Sequence, residues 1–120
     1  MIPKFRIFDK KKKRFLGDFT MEIDKFGIHV LDEFNYVVDE DDRVFMQSTG
    51  LHDVNGKEIF EGDILKSPYG FIGKVNIVEG AWYVQHKDFT NNHFLYVAQG
   101  KSEIIGNIHE HPELLNQPNE

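Results

Sequence analysis

Short segments of alternating polar and apolar residues, broken by glycine, constrain this chain more than any other feature of its sequence. Glycines punctuate these segments at positions 50, 56, 62, 70, 80 and 100. No stretch carries an apolar stripe of helical period over several turns. Short strands with turn signals roughly every 8–12 residues are typical of β-sandwiches and barrels. The pattern therefore predicts an all-β fold, a small barrel or two-layer sandwich of about eight short strands with at most short helical turns.

Individual turns can be placed from the same pattern. Asn55-Gly56 is predicted to form a tight turn with Gly56 at positive φ, because glycine adopts that conformation without a steric penalty. Asp53 is expected to hydrogen-bond the backbone of this turn. Gly62 suggests a bulge or another positive-φ position. The remaining hairpins are predicted around the lysines at 10–13, around Glu79-Gly80 and around Gly100-Lys101. Further strands are predicted at 28–31, 36–38 and 44–49, and a single helical turn is predicted to begin at Pro112.

Length and composition limit the chemistry. A chain of 120 residues suits one domain, predicted here to span residues 1–120 with a short C-terminal tail at 116–120. Without cysteine it forms no disulfide, thiolate zinc site or thiol nucleophile. We find no export signal and no apolar stretch approaching 18 residues, so no membrane partner is expected. No cofactor is predicted.

The charge is distributed unevenly. Residues 1–16 carry seven Lys or Arg against one acid, a net +6, whereas residues 17–63 carry thirteen acids against three basic residues, a net −10. Four acids follow one another at 39–42, which predicts a solvated, mobile loop because like charges repel. A basic edge and an acidic middle can steer an anionic partner, or can pair between two copies of the chain.

The basic segment is the candidate nucleic-acid contact. It comprises Lys10, Lys11, Lys12, Lys13 and Arg14, flanked by Phe8 and Phe15. Cations interleaved with aromatic rings can hold phosphates and stack bases. The competing interpretation is a hairpin tip whose lysines confer solubility and block edge-to-edge strand pairing. An overall charge of −6 favours the latter, because strong nucleic-acid binders are usually basic.

Metal and catalytic sites have weaker support. Asp53, Asn55, Glu58, Glu61 and Asp63 could offer oxygen ligands, but their spacing fails the EF-hand template and turn formation explains them without a metal. Of six histidines, only His109 and His111 are close in sequence, and a zinc site needs a third ligand. No nucleophile elbow, phosphate-binding glycine loop or zinc-protease motif is present. A non-enzymatic protein is predicted, with a metal-dependent enzyme as the last alternative.

Three stretches resemble one protein family. Residues 46–64, MQSTGLHDVNGKEIFEGDI, resemble the central signature of the YopX family, and residues 104–115, IIGNIHEHPELL, resemble its C-terminal motif. The opening KFRIFD, at residues 4–9, resembles the start of the family pattern. Phe8 stands where the family often has Trp, Ser48 replaces an aromatic residue and His111 replaces Asn.

The resemblance implies a small phage or prophage protein of unassigned function, in the cytoplasm of a bacterial host. It supplies no catalytic residues. We expect a non-catalytic accessory role through protein binding or self-assembly, with a homo-oligomer or an unknown host or phage protein as partner, and nucleic-acid binding as the alternative. The motif residues are expected to be structural: Gly50, Asp53, Asn55, Gly56, Glu61, Gly62, Asp63, Gly106 and Asn107.

Overall fold

A computed structural model describes residues 4–86 and 93–116. Strands dominate these residues, and helical structure is limited to one short α-helix and two 3-10 turns, so the predicted all-β class is confirmed. The chain divides into two compact units. We call Phe5–Met46 the N-terminal unit, and Gln47 onward, together with Lys4, the C-terminal unit. Strand β5 (Arg43–His52) crosses the boundary between residues 46 and 47, so it contributes to both units.

The N-terminal unit is built from hairpins. Its strands are β1 (Phe5–Asp9), β2 (Arg14–Phe15), β3 (Thr20–Asp24), β4 (Gly27–Leu31) and the start of β5, with a 3-10 turn at Glu40–Asp42. β1 and β2 form the predicted first hairpin, in which Phe8 pairs with Phe15. β3 and β4 form a separate two-stranded sheet. The core consists of Ile7, Leu16, Val30 and Val38, with Phe19, Met21 and Phe45 against it.

The C-terminal unit contains a five-stranded antiparallel sheet in the order β10-β9-β8-β7-β11. Its elements are the end of β5, β6 (Glu58–Phe60), β7 (Asp63–Lys66), β8 (Ile72–Val78), β9 (Ala81–His86), β10 (His93–Phe94), α1 (Leu95–Ala98), β11 (Glu103–Asn107) and a 3-10 turn at Pro112–Asn116. β6 pairs with β5. The core consists of Ile59, Leu65, Val75, Val84, Leu95 and Ala98, with Leu51, Trp82 and Ile104 against it.

Several predicted elements are confirmed and others are wrong. The Glu79-Gly80 turn joins β8 to β9, and Pro112 opens a helical turn. The predicted hairpin around Gly100-Lys101 does not form: residues 95–98 are helical and β11 pairs with β7. The reason is that Leu95 and Ala98, three residues apart, both enter the core, as one helical turn allows.

Smaller corrections concern the N-terminal half. Residues 36–38 form only an isolated bridge between Leu31 and Val37 rather than a strand. The four acids at 39–42 are not simply a loop, since residues 40–42 form a 3-10 turn. β5 continues through Gly50 to His52, because a register irregularity between Ser48 and His52 accommodates the glycine. Residues 117–120 of the predicted tail lie outside the described residues.

Candidate functional site

The central motif folds around the buried carboxylate of Asp53. Its Oδ1 accepts hydrogen bonds from the backbone N–H groups of Asn55, at 2.9 Å, and Lys57, at 2.8 Å. Its Oδ2 accepts one from the N–H of Ile104, at 3.0 Å. Burial alone would raise the pKa of Asp53, but these three donors outweigh burial and lower it. Asp53 therefore joins the central motif to the C-terminal motif.

The predicted turn after Asp53 is present. Gly56 has φ +79°, and its N–H donates to the backbone carbonyl of Asp53 at 3.0 Å. The N–H of Asp53 in turn donates to the carbonyl of Lys57 at 2.8 Å. The prediction that Gly56 lies at positive φ in a tight turn is confirmed.

A second anchor lies at Gly62 and Asp63. Gly62 has φ +85°, as predicted, and its carbonyl accepts a hydrogen bond from the N–H of Ile108 at 2.9 Å. Asp63 is buried, and its Oδ2 accepts from the N–H of Phe60 at 2.8 Å. Asp63 also pairs with Asn107 across β7 and β11. This half of the motif again contacts the C-terminal motif.

The C-terminal motif is held by hydrogen bonds between its own residues. The Asn107 side-chain oxygen accepts hydrogen bonds from the N–H groups of His109, at 3.0 Å, and Glu110, at 2.9 Å. The N–H of Asn107 lies 3.3 Å from His111 Nδ1. A Cβ on Gly106 would stand 2.7 Å from that same nitrogen. Glycine at position 106 therefore leaves room for the imidazole that replaces the family's Asn.

Gly50 and Glu61 belong to the pairing of β5 with β6. Gly50 has φ +76°, and its N–H donates to the hydroxyl of Ser48 at 3.1 Å. The N–H of Glu61 donates to the carbonyl of Gln47 at 2.9 Å. All nine motif residues thus lie in turns, strands or strand connections of the C-terminal unit.

The oxygen-rich residues of the motif do not converge. Asp53 and Asp63 bind separate backbone segments, and Glu58 is paired with Lys4 at 2.8 Å and hydrogen-bonded to the hydroxyl of Ser48. Within residues 4–86 and 93–116, no group of three or more His, Asp or Glu side chains is placed to hold a metal ion.

The basic segment forms the turn between β1 and β2. Lys10 to Lys13 are all exposed. The Asp9 carboxylate stabilises this turn, because its Oδ1 accepts hydrogen bonds from the N–H groups of Lys11, at 2.9 Å, and Lys12, at 3.1 Å. Lys13 has φ +56°. The segment is an ordered tip that presents ammonium groups to solvent.

Acidic neighbours reduce the charge of this tip. The Arg14 guanidinium makes two hydrogen bonds to the Glu33 carboxylate, and this pairing holds the pKa of Glu33 down at about 2. The Lys12 ammonium lies 3.9 Å from Oδ2 of buried Asp32 and 5.5 Å from the centroid of the Tyr36 ring. Arg14 is therefore already engaged, and the lysines remain the accessible cations.

The β3–β4 hairpin has one apolar face that is only half covered. Met21 pairs with Val30 and Ile23 with Ile28, and cross-strand partners share a face of a sheet. Met21 and Val30, at the base, pack into the core of the N-terminal unit. Ile23 is 73% exposed, and Phe26 at the turn is 81% exposed. The apolar face thus extends beyond the core that covers its base.

A groove of about 690 Å³ lies beside this hairpin within the N-terminal unit. Ile28 and Val37 line it and are exposed, and acidic residues lie along it with Arg43. The lining residues are Phe26, Gly27, Ile28, His29, Val30, Val37, Val38, Asp39, Glu40, Arg43 and Phe45.

The contact between His86 and His93 in the C-terminal unit was not predicted from the sequence. His86 ends β9 and His93 begins β10, and the two imidazoles approach to 3.3 Å between His86 Nε2 and His93 Nδ1. Seven residues apart, the two histidines would share one face of a helix but would lie on opposite faces of a single strand, and no helical stripe supports the first arrangement. Pairing β9 with β10 as a hairpin would have brought them together, and that pairing was not predicted.

Among the described residues, no helix is both long and apolar enough to cross a lipid bilayer. No protein in the comparison with curated proteins matches the chain.

Solved structures that are similar to this chain include two bacterial proteins. Protein EF1440 from Enterococcus faecalis is 31% identical, with a TM-score of 0.63 over 96% of this chain and 99% of that one. Protein yopX from Bacillus subtilis is 17% identical, with a TM-score of 0.65 over 95% of this chain and 96% of that one, which shows a shared fold. The family model described as YopX protein matches residues 4–116. Since that match covers nearly all of the chain, the protein belongs to the YopX family.

Proposed function

We propose that this chain is a non-catalytic accessory protein of phage or prophage origin, that it acts in the cytoplasm of the bacterial host through protein binding, and that it binds a second copy of itself. The observation that carries self-association is the uncovered apolar end of the β3–β4 hairpin, where Ile23 and Phe26 face solvent. Large exposed apolar patches on a small protein typically mark interaction surfaces.

The backbone of this hairpin supports strand pairing between copies. Among the described residues, β3 pairs only with β4, so its other edge presents backbone N–H and C=O groups without a strand neighbour. Two β3 strands related by a two-fold axis would pair antiparallel into a four-stranded sheet. The same operation would place the apolar faces of the two hairpins on the same side of that sheet, next to each other.

Charge favours a second copy over an unrelated partner. The N-terminal unit presents exposed lysines at 10–13 and exposed acids at 39–41. A two-fold interface that brings the lysines of one copy against the acids of the other would form that contact twice. The hairpin supplies the apolar area and the charged segments set the orientation.

Sedimentation velocity over a range of protein concentrations tests this proposal. The parent protein is expected to show a concentration-dependent dimer, and the double variant Ile23→Ser/Phe26→Ser is expected to weaken dimerisation at least about tenfold, since apolar burial contributes about 25 cal/mol per Å². Val54→Ser changes an exposed apolar residue of the C-terminal unit, away from the hairpin, and serves as the matched control that should leave dimerisation unchanged. A strictly monomeric parent in both low and high salt would overturn self-association.

Nucleic-acid binding by the basic segment is the second candidate, favoured by the exposure of all four lysines. It predicts an electrophoretic mobility shift that weakens steeply with salt, because phosphate contacts release counterions. Substituting Lys11, Lys12 and Lys13 by Glu would abolish this shift. Arg14→Gln would change it little, because Arg14 is paired with Glu33. A shift retained by the triple variant would refute the candidate.

A further inference from the structure

The C-terminal unit contains a second concave surface, a cleft of about 640 Å³. This volume falls within the range of small-molecule sites, roughly 300–1,000 Å³. Its walls come from the turn after β7, the end of β9, the start of β10, and the helix α1 with the turn that follows it. The lining residues are Ser67, Pro68, Tyr69, Phe71, His86, His93, Val97, Ala98, Lys101 and Ser102.

One wall of the cleft is a row of rings. Phe71 meets His86 edge-to-face with centroids 6.2 Å apart, and His86 lies against His93 with centroids 5.0 Å apart and planes tilted by 30°. His86 Nδ1 is 3.2 Å from the carbonyl of Ile72, which can only accept, so this nitrogen carries a proton. His86 is buried, so Phe71, which is 46% exposed, and His93 supply the ring surface that a planar, apolar body can contact.

Two polar side chains of the cleft, Ser67 and Lys101, can donate hydrogen bonds to a ligand. Ser67 Oγ accepts hydrogen bonds from the N–H groups of Tyr69, at 3.3 Å, and Phe71, at 3.1 Å. Because both its lone pairs are engaged, the hydroxyl hydrogen of Ser67 remains to be donated. Lys101 is exposed and has no carboxylate within 4.0 Å among the described residues.

The cleft also differs in charge from the rest of the molecule. The protein carries twenty acids and a net charge of −6, yet none of the described residues that line this surface is an acid. Among those lining residues, Lys101 is the one lysine or arginine. A cation, a hydroxyl donor and an aromatic wall are complementary to an anionic group attached to a flat apolar body.

We infer that this cleft binds a small aromatic carboxylic acid, with the carboxylate at Lys101 and Ser67 and the ring against Phe71 and His93. Tyr69, 87% exposed, and Val97, 56% exposed, lie at the cleft and would lose solvent contact when the ligand binds. The inference is independent of self-association, since the hairpin surface belongs to the N-terminal unit and the cleft to the C-terminal unit.

The test compares 2-naphthoate with 2-naphthalenemethanol, a matched pair that differs in the anionic group, by amide chemical-shift titration of the full chain. Naphthoate is expected to shift the amides of Phe71, Val97 and Lys101. The alcohol is expected to bind about tenfold more weakly, the scale of one charge-assisted hydrogen bond. Shifts confined to other parts of the chain, or equal affinity for the two probes, would overturn the inference.

Variants separate the charge from the ring contact. Lys101→Met is expected to bring the affinity for naphthoate down to that for the alcohol, whereas Lys57→Met, which removes a lysine outside the cleft, should leave both affinities unchanged. Phe71→Leu is expected to weaken both probes together, because it removes the ring and retains apolar bulk. Naphthoate binding that Lys101→Met and Phe71→Leu leave unchanged would refute the assigned pose.

Discussion

The β8–β9 and β3–β4 hairpins are both antiparallel pairs joined by tight turns, but they are stabilised differently. β8 and β9 lie inside a five-stranded sheet, with β7 on one side and β10 on the other, and their Val75 and Val84 are buried. β3 and β4 form a sheet of two strands, with only the base of the apolar face covered. Because isolated two-stranded hairpins are marginally stable in water, the second hairpin has most to gain from a partner.

The buried carboxylates of the two units show a parallel contrast. Asp32, in the N-terminal unit, accepts hydrogen bonds from the N–H groups of Phe34 and Tyr36, two and four residues away. Asp53, in the C-terminal unit, also reaches Ile104, which is 51 residues away. The hydrogen bonds of the first carboxylate shape a local turn, whereas those of the second hold distant segments together. The following predictions test that contrast, starting with the largest effect.

Removing the Asp53 carboxylate should cause the largest loss of stability. Asp53→Ala leaves three backbone N–H groups without their acceptor, and an expected cost of about 3 kcal/mol or more follows from the penalty for unsatisfied buried donors. Urea unfolding followed by circular dichroism measures it. Asp39→Ala, at an exposed acid that caps nothing with its side chain, is the control and should change stability by less than about 0.5 kcal/mol. Equal urea midpoints for the two variants would show that the Asp53 carboxylate does not stabilise the fold.

A backbone change in the same turn should have a smaller effect. Gly56→Val is expected to cost about 1–2 kcal/mol, because a β-branched residue is strained at φ +79°. Apart from Gly56 and its two chain neighbours, no described residue has an atom within 4 Å of a Cβ built at this position, so the cost comes from backbone conformation rather than from a collision. Lys57→Ala, next to it, should do little. An unchanged urea midpoint for Gly56→Val would contradict the positive φ.

The smallest expected effect concerns the surface ion pair of the N-terminal unit. The pKa of Glu33 is about 2 in the folded protein, below its ordinary 4.5, so the pair stabilises the fold fully above about pH 5 and loses its contribution as the pH falls toward 2. Glu33→Gln should therefore be less stable than the parent at pH 7 and approach it near pH 2. Urea midpoints at several pH values measure this difference. A difference that persists at pH 2 would assign it to packing instead.

Much of the local structure could be predicted because it depends on neighbouring residues. The turn at Gly56, the bend at Gly62 and the first hairpin follow from residue types that favour those backbone conformations. The helix at 95–98 could not, because its reason is the burial of Leu95 and Ala98 in a core assembled from distant strands. The cleft with His86 and His93 was missed for the same reason, since it depends on the pairing of β9 with β10.

The hydrogen bond between Asp53 and Ile104 also bears on how the chain folds during synthesis. A ribosome must translate past residue 104 before the carboxylate can find its last donor. By contrast, all residues of the N-terminal core, from Ile7 to Phe45, have been made by then. Units generally fold in the order in which they emerge from the ribosome. The N-terminal unit would therefore fold on the nascent chain before the central motif can form its hydrogen bond to Ile104.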